Sequence, residues 1–265
     1  MSVVIAILAK DKESTLPFYL DCIYQQTYEK KNIHLYIRTN DNRDKTPELL
    51  QQFIEQHGSE YASVYYDDRS ISEQLKAYSN HEWNVHRFQI LGKIRQDSVD
   101  HAKQLQAHYF VVDCDNFITP ATLENLMRHR VVVAPVLHTK GSMYSNFHYS
   151  VDANGYYAEN AHYMTVLNGQ ILGLFQVECV HCTYLVPFEY LDQVKYDDGS
   201  CRYEYVIFSS ELRKHKVPQY IDNTLPYGFL TFATTKEDFD HDSQEMLPRF
   251  PFKQKDLSDI GLAQE

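Results

Sequence analysis

The sequence predicts an α/β fold, with an open, mostly parallel sheet first and an antiparallel, hairpin-rich half after it. Strand-like apolar runs, "VVIAILA" (3–9), "NIHLYIRT" (32–39), "YASVYY" (61–66) and "HYFVV" (108–112), alternate with stretches of helical periodicity, the order of right-handed βαβ units. Asn-Gly pairs at 154–155 and 168–169 punctuate the stretch from 144 to 186, as hairpins do. Pro and Gly are sparse, nine of each, and no low-complexity segment interrupts the chain, so most of it folds.

Each element follows from local signals. After the first strand, "STLPFYLDCIYQQT" reads as a helix with Ser14 at the N-cap, Pro17 in the first turn and Leu16, Leu20 and Ile23 at helical spacing. "TPELLQQFIEQH" is a second helix, with Thr46 as N-cap, Pro47 at N1 and Glu48 in the first turn. A polar loop from Asp67 to about Glu82 leads into a long helix from Val85 to Gln106, whose inner stripe is Phe88, Leu91, Ile94, Val99 and Ala102. "HYFVV" follows, then a helix on "ATLENLMRH" behind Thr119 and Pro120, and the strand "RVVVAPVLH". After the hairpin region come a helix on "RYEYVIFSSELRKH" and a short strand on "PQYIDN". One domain over 1–235 is expected, in halves 1–116 and 117–235, with 236–265 as a polar, acidic tail.

With 25 basic and 36 acidic residues the formal charge is -11, which gives no electrostatic footprint for nucleic acid or an anionic membrane. An anionic substrate would need a bound cation or a local basic patch. No run reaches membrane-spanning length, and the N-terminus reads as a strand rather than a leader, so a cytoplasmic location is expected; a lumenal one stays open if the chain is a fragment. The five cysteines lack disulfide-framework spacing. Cys179-Val180-His181-Cys182 reads as buried thiols on a strand before it reads as a metal knuckle. Oligomeric state is not set by the sequence.

The chemistry concentrates in "VVDCDN". Residues i and i+2 of an extended segment point the same way, so Asp113 and Asp115 can aim together into the crevice at the strand's carboxyl end, where open α/β sheets bind ligands. Two hard oxygen donors at this spacing suit Mg²⁺ or Mn²⁺. A turn or capping role for Asp115 or Asn116 is the plainer alternative. Haloacid-dehalogenase-type phosphatases also use an apolar strand ending in DxD, but theirs is normally the first strand, and here it is the fourth.

The ordered series "VVIAILAKDKESTLPFYLDCI", "RTNDNRDKTPELL", "HRFQILGKIRQDSVDHAKQLQAHYFVVDCDNFITPATLENLM", "VVVAPVL", "YSNFHYSVDANGYY", "CVHCTYLV" and "LPYGFL" resembles a GT-A nucleotide-sugar glycosyltransferase. Within that class it is similar to glycosyltransferase family 25, the procollagen galactosyltransferase type. The resemblance implies a Rossmann-like nucleotide-sugar-binding half and an acceptor-side half. It also implies Mn²⁺ or Mg²⁺ on Asp113 and Asp115, and transfer of a hexose (galactose or glucose) from a UDP-sugar, with inversion. The acceptor would be a protein or glycan hydroxyl, with hydroxylysine of a collagen-like protein among the candidates.

By the same resemblance Ala9 and Lys10, at the end of the first strand, and Thr39, Asn40, Asp41 and Asp44, at the end of the second, meet uracil and ribose. A solvated Asx-rich turn over 40–44 would look identical in sequence. Of Lys93 and Arg95, one approaches the phosphates or the Asp pair and the other lies on a solvated face. Asp113 and Cys114 contact the donor. Tyr144, Ser145, Asn146 and His181 are candidates for donor-sugar or acceptor contacts, and His181 is also a catalytic candidate.

Glu204 is the base expected to take the acceptor proton. The family pattern has an acidic pair there, and this chain has Tyr203-Glu204, so a first-turn Glu complementing the helix dipole is an even alternative. Asp197 and Asp198 are nearby, in a turn signal. His241, between Asp240 and Asp242, is the expected further metal ligand. The missing acid at Tyr203 also keeps open a non-catalytic, nucleotide-sugar- or glycan-binding domain.

Overall fold

The computed structural model describes residues 1–71 and 85–252. The predicted polar loop beyond 71 and the tail beyond 252 lie outside the described residues. The strands of the first half are β1 (Val3–Ala9), β2 (Ile33–Thr39), β3 (Ser63–Asp67), β4 (His108–Val112) and β5 (Asn116–Ile118). Those of the second are β6 (Val132–Pro135), β7 (His138–Thr139), β8 (Phe147–His148), β9 (Ser150–Val151), β10 (Tyr157–Ala158), β11 (Leu174–Val177), β12 (Cys179–Val180), β13 (Thr183–Val186), β14 (Gln219–Asp222) and β15 (Gly228–Leu230). The helices are α1 (Leu16–Tyr24), α2 (Thr46–His57), α3 (Val85–Gln104), α4 (Thr122–Leu126), α5 (Ala161–Leu167), α6 (Glu204–Lys214) and α7 (Lys236–Met246).

Eight strands make the central sheet, in the order β11-β14-β6-β13-β4-β1-β2-β3. The block β4-β1-β2-β3 is parallel throughout, as the alternating sequence predicts. β13 runs antiparallel between β4 and β6. The central strands β1 and β4 are buried on both faces because both faces are covered, whereas the edge strands β3 and β11 leave alternate positions exposed or half-buried. Val3, Ile5 and Ile7 of β1 and Phe110 and Val112 of β4 pack into a layer with α1 and α2, while Val4, Ala6, Tyr109 and Val111 face the layer that holds Val99 and Ala102 of α3 and Phe208 of α6.

The strands of 144–186 pair antiparallel, but consecutive strands form a hairpin only at β9–β10: β11 pairs with β14, β12 with β8 and β13 with β4 and β6. Asn154-Gly155 turns the chain between β9 and β10, with Gly155 at φ +92. Asn168-Gly169 instead ends α5, with Gly169 at φ +64, and Asn160 caps that helix by accepting the His162 N–H at 2.8 Å. A hairpin turn and a helix C-terminus both call for a left-handed residue, so the dipeptide signals either.

The expected C-terminal tail is folded through 252. Thr235 caps α7, and Phe239 and Met246 sit in the core. Phe252 continues the contact, 5.5 Å from the Phe18 ring. The polar face of α7 hid it, since only these few apolar positions face inward.

Candidate active site

Two loops at the carboxyl ends of β1 and β2 form one side of the site, and they lock each other. The Asp11 N–H donates to Asn42 Oδ1 (2.9 Å), the Arg43 N–H to Asp11 Oδ1 (2.7 Å), the Lys12 N–H to Thr46 Oγ1 (2.8 Å) and the Glu13 N–H to Asp44 Oδ2 (2.9 Å). Asp11 and Asp41 hold φ of +50 and +48, a left-handed conformation that Asp tolerates better than most residues. The predicted caps move accordingly. Thr46 is the first residue of α2 rather than its N-cap, and its hydroxyl receives Lys12. α1 starts at Leu16 with Thr15, not Ser14, at the N-cap, and the Thr15 hydroxyl donates to the Cys114 carbonyl at 3.1 Å.

The Asp pair occupies the turn between β4 and β5. The Asp113 N–H donates to the Cys182 carbonyl and the Thr231 N–H to the Asp115 carbonyl, both at 3.0 Å, so β13 and the end of β15 fix the turn. Burial alone would make these carboxylates costly, and two cations meet them. Arg95 Nη2 donates to both oxygens of Asp113, at 2.8 and 3.0 Å, and Lys12 Nζ donates to Asp115 Oδ2 at 2.8 Å. Burial still raises the Asp113 carboxyl above its ordinary range, against the pull of Arg95. Burial opposes the charge on Lys12 too, yet Asp115 lifts its ammonium above its usual value.

Arg95 is the hub. Its side chain is 7% exposed, and its Nε lies 3.5 Å from Glu204 Oε1, so one guanidinium joins the Asp pair to the first residue of α6. Nε and Nη1 are buried without a hydrogen-bond partner. Burial raises the Glu204 carboxyl, with Arg95 pulling the other way. Glu204 thus holds both predicted positions at once, the first turn of α6 and the neighbourhood of the Asp pair.

Lys12, Arg95, Asp113 and Asp115 line a cleft of about 540 Å³ that also takes in Ala9, Lys10, Asn40, Cys114 and Phe232, while Glu204 is buried behind Arg95 and is not part of the lining. The other predicted residues fall as follows. Lys93 is exposed on α3, on the solvated face, while Arg95 turns inward. Thr39 accepts from the Asn42 amide (2.6 Å), and Asp41 accepts from Ser70 Oγ (2.5 Å) and the Ile71 N–H (3.3 Å). With Asp44 accepting the Glu13 N–H, Asp41, Asn42 and Asp44 brace the loops, while Asn40 is buried and lines the cleft.

Ser145 donates to the Leu137 carbonyl (2.7 Å). Asn146 is fully buried, its amide spent on Leu137 N and the Pro135 and Thr183 carbonyls, so it braces strands rather than facing the cleft. Tyr144 is 38% exposed and sits 5.2 Å from Phe232 and 5.7 Å from His181, ring to ring. Burial, with His148 and Arg95, drives the His181 pKa well down, which leaves a neutral imidazole whose Nε2 has no partner. His241 is exposed on α7 with its ring and carbonyl against Lys140, while Asp242 bonds Thr231 and Asp240 pairs with Lys236. Asp197 and Asp198 cap their own turn through the N–H groups of Gly199 and Ser200.

Sequence reasoning missed Lys12, Arg38 and Arg87, all on the cleft wall. In "AKDKES" it took Lys10; the pattern offers two lysines, and only the left-handed turn at Asp11 decides which one reaches Asp115.

Among the described residues no three His, Cys, Asp or Glu side chains form a metal-holding group, so neither His241 with the Asp pair nor the Cys179–Cys182 segment makes one. The donor set still fits a hard divalent cation shared with a ligand. Asp113 and Asp115 give two carboxylates at a cleft wall, and Mg²⁺ commonly uses one or two carboxylates plus substrate phosphates.

Comparison with known proteins gives the family and the fold class. The model of "Glycosyltransferase family 25, N-terminal domain" matches residues 1–249. A glycosyltransferase 25 family member of Anopheles gambiae is 30% identical over 86% of this chain and 41% of its own. Procollagen galactosyltransferase 1-B of Xenopus laevis is 28% identical over 86% and 39%. A human protein named inactive glycosyltransferase 25 family member 3 is 30% identical over 86% and 40%. The chain therefore spans about two fifths of the length of these relatives. Among solved structures, S. aureus TarS 1-349 in complex with UDP-GlcNAc superposes with a TM-score of 0.54 at 14% identity, over 88% of this chain and 59% of TarS, which places the fold in the GT-A class. The chain belongs to glycosyltransferase family 25.

Proposed function

We propose that the chain is a metal-dependent hexosyltransferase that moves galactose or glucose from a UDP-sugar to a hydroxyl acceptor with inversion. The observation that carries this reading is Arg95, a guanidinium of the cleft wall buried between Asp113 and Glu204. Support for the donor comes from TarS, solved with UDP-GlcNAc, and for the sugar from relatives named procollagen galactosyltransferases. A Mn²⁺ or Mg²⁺ on Asp113 and Asp115 would offset the negative charge that develops on the departing diphosphate.

The chain's own residues do the rest. Lys12, Arg38 and Arg87 give an acidic protein a locally cationic wall for the nucleotide. The Lys12 ammonium is partly exposed on a loop whose backbone is fixed, so it is free to turn from Asp115 towards the leaving group. Arg95 holds Asp113 in place and keeps Glu204 oriented. Glu204 takes the proton of the acceptor hydroxyl, its raised pKa bringing its basicity closer to the working pH. His181, neutral and buried beneath Tyr144, adds no charge beside the site.

A second reading, a domain that binds nucleotide-sugar without turning it over, is favoured by the pairing of both aspartates with protein cations and by the inactive human relative. A panel of UDP- and GDP-sugars with Mn²⁺, monitored for nucleotide release, separates the two. The transferase releases UDP from a UDP-hexose; no release from any donor leaves the binding domain standing.

A further inference from the structure

Asp113 and Asp115 are each met by one cation, but the two cations are not alike. Arg95, its side chain 7% exposed, donates from Nη2 to both oxygens of Asp113 at 2.8 and 3.0 Å and is shared with Glu204. Its planar guanidinium is walled in and stays on Asp113. Lys12 reaches Asp115 Oδ2 at 2.8 Å from a half-open position, the two side chains being 29% and 33% exposed. An ammonium is a compact point charge on a flexible four-carbon stem, so it exchanges one oxygen partner for another without breaking a fork.

Only the side chain of Lys12 has that freedom. Its N–H donates to Thr46 Oγ1 at 2.8 Å, and its carbonyl accepts the Thr15 and Leu16 N–H groups at 3.1 and 2.8 Å, at the start of α1. Before it, Asp11 is held left-handed at φ +50 and exchanges hydrogen bonds with Asn42 and Arg43. The fixed backbone therefore delivers the ammonium to one small part of the cleft, on the wall that Asp115, Lys10 and Arg38 also line.

We propose that Lys12 is a built-in competitor for the divalent cation, its ammonium occupying the cation position on Asp115 until a nucleoside diphosphate offers it another partner. A cation arriving on either oxygen of Asp115 while Lys12 is bonded to Oδ2 meets a like charge close by. With Asp113 already answered by Arg95, that cation gains little by entering alone. A diphosphate changes both conditions: its oxygens accept the Lys12 ammonium, and they supply further donors for the cation that replaces it on Asp115. Cation and nucleotide then tighten each other's binding, by the same factor in both directions. The exchange rests on the metal-dependent transferase reading and adds to it the residue that couples its two ligands.

Two titrations of the full chain test the exchange: Mn²⁺ alone, followed by the EPR signal of the unbound ion, and UDP with and without Mn²⁺, followed by calorimetry. Without UDP, Lys12→Gln should bind Mn²⁺ about fivefold tighter than wild type, the upper end of what a partly exposed ion pair is worth. Lys12→Arg keeps a cation on Asp115 and should stay within about twofold of wild type. Lys10→Gln removes the same charge from the same cleft and leaves the Lys12–Asp115 pair standing, so it too should stay within about twofold. The factor by which Mn²⁺ tightens UDP should be about fivefold smaller in Lys12→Gln than in wild type. Unaltered Mn²⁺ affinity in Lys12→Gln, or an equal gain in Lys10→Gln, overturns the proposal. A wild type whose UDP affinity ignores Mn²⁺ removes the metal-dependent reading, and the exchange with it.

Discussion

At the scale of single residues the account turns on which carboxylate does what. Asp113 is fixed by a bifurcated bond to a buried guanidinium, while Asp115 is held by a partly exposed ammonium, so the second is the exchangeable position. Glu204→Gln should lower turnover by roughly 10²–10⁴-fold, the usual size of a general-base contribution, and leave UDP affinity within about twofold. Steady-state kinetics paired with UDP titration checks it; equal loss in both would make Glu204 a structural residue. The base works ionised, and burial raises its pKa, so turnover should climb with pH through an acid limb lying above the ordinary carboxylate range. A pH–rate profile of the wild type reads that limb directly, and a flat profile through it would remove Glu204 from the role.

At the scale of elements, the site depends on β15 approaching β5 closely. Gly228 has φ +139, and a Cβ there would stand 2.0 Å from the Phe117 carbonyl oxygen, two residues after Asp115. Gly228→Ala should cost about 3 kcal/mol or more and lower Tm by roughly 6–12 °C, read by thermal unfolding. Phe239→Ala should cost about 3–5 kcal/mol, because α7 is part of the core. These two elements mark what the sequence could and could not tell. The parallel block was legible because "VVIAILA" is apolar throughout and "HYFVV" after His108, as a strand covered on both faces requires. α5 was misread because Asn168-Gly169 signals a left-handed residue without saying what precedes it. α7 was missed because "KEDFDHDSQEM" carries its inward face on few residues. Asp113, Asp115, Glu204 and, as one of a pair with Lys93, Arg95 were named from spacing and resemblance, and the structure brings them together; Lys12 was not named, because its reach is set by a backbone turn with no side-chain signature.

At the scale of the whole molecule, a strongly acidic chain gathers cations on the wall of one cleft, as the proposed anionic donor requires. Arg38 serves that wall and also the sheet edge, where it pairs with Asp67 beside Arg69. Hydrogen bonding from Arg69, with Arg38 nearby, holds Asp67 down to about 2. A depressed carboxylate stabilises the fold above its unfolded pKa, and that contribution disappears as pH falls through the folded one. Asp67→Asn should therefore cost about 1–2 kcal/mol at neutral pH, discounted for exposure, and the difference from wild type should close between about pH 4 and 2 in denaturant titrations. The central claim is that Asp113 and Asp115 hold a cation that in turn holds a nucleotide diphosphate. Titration of UDP with and without Mn²⁺, on the wild type and on Asp115→Asn, tests it most directly. The account predicts that Mn²⁺ tightens UDP binding to the wild type by at least about tenfold and leaves Asp115→Asn unaffected, its metal-free affinity kept or improved by the released Lys12. Identical UDP affinity with and without Mn²⁺ in the wild type would contradict it.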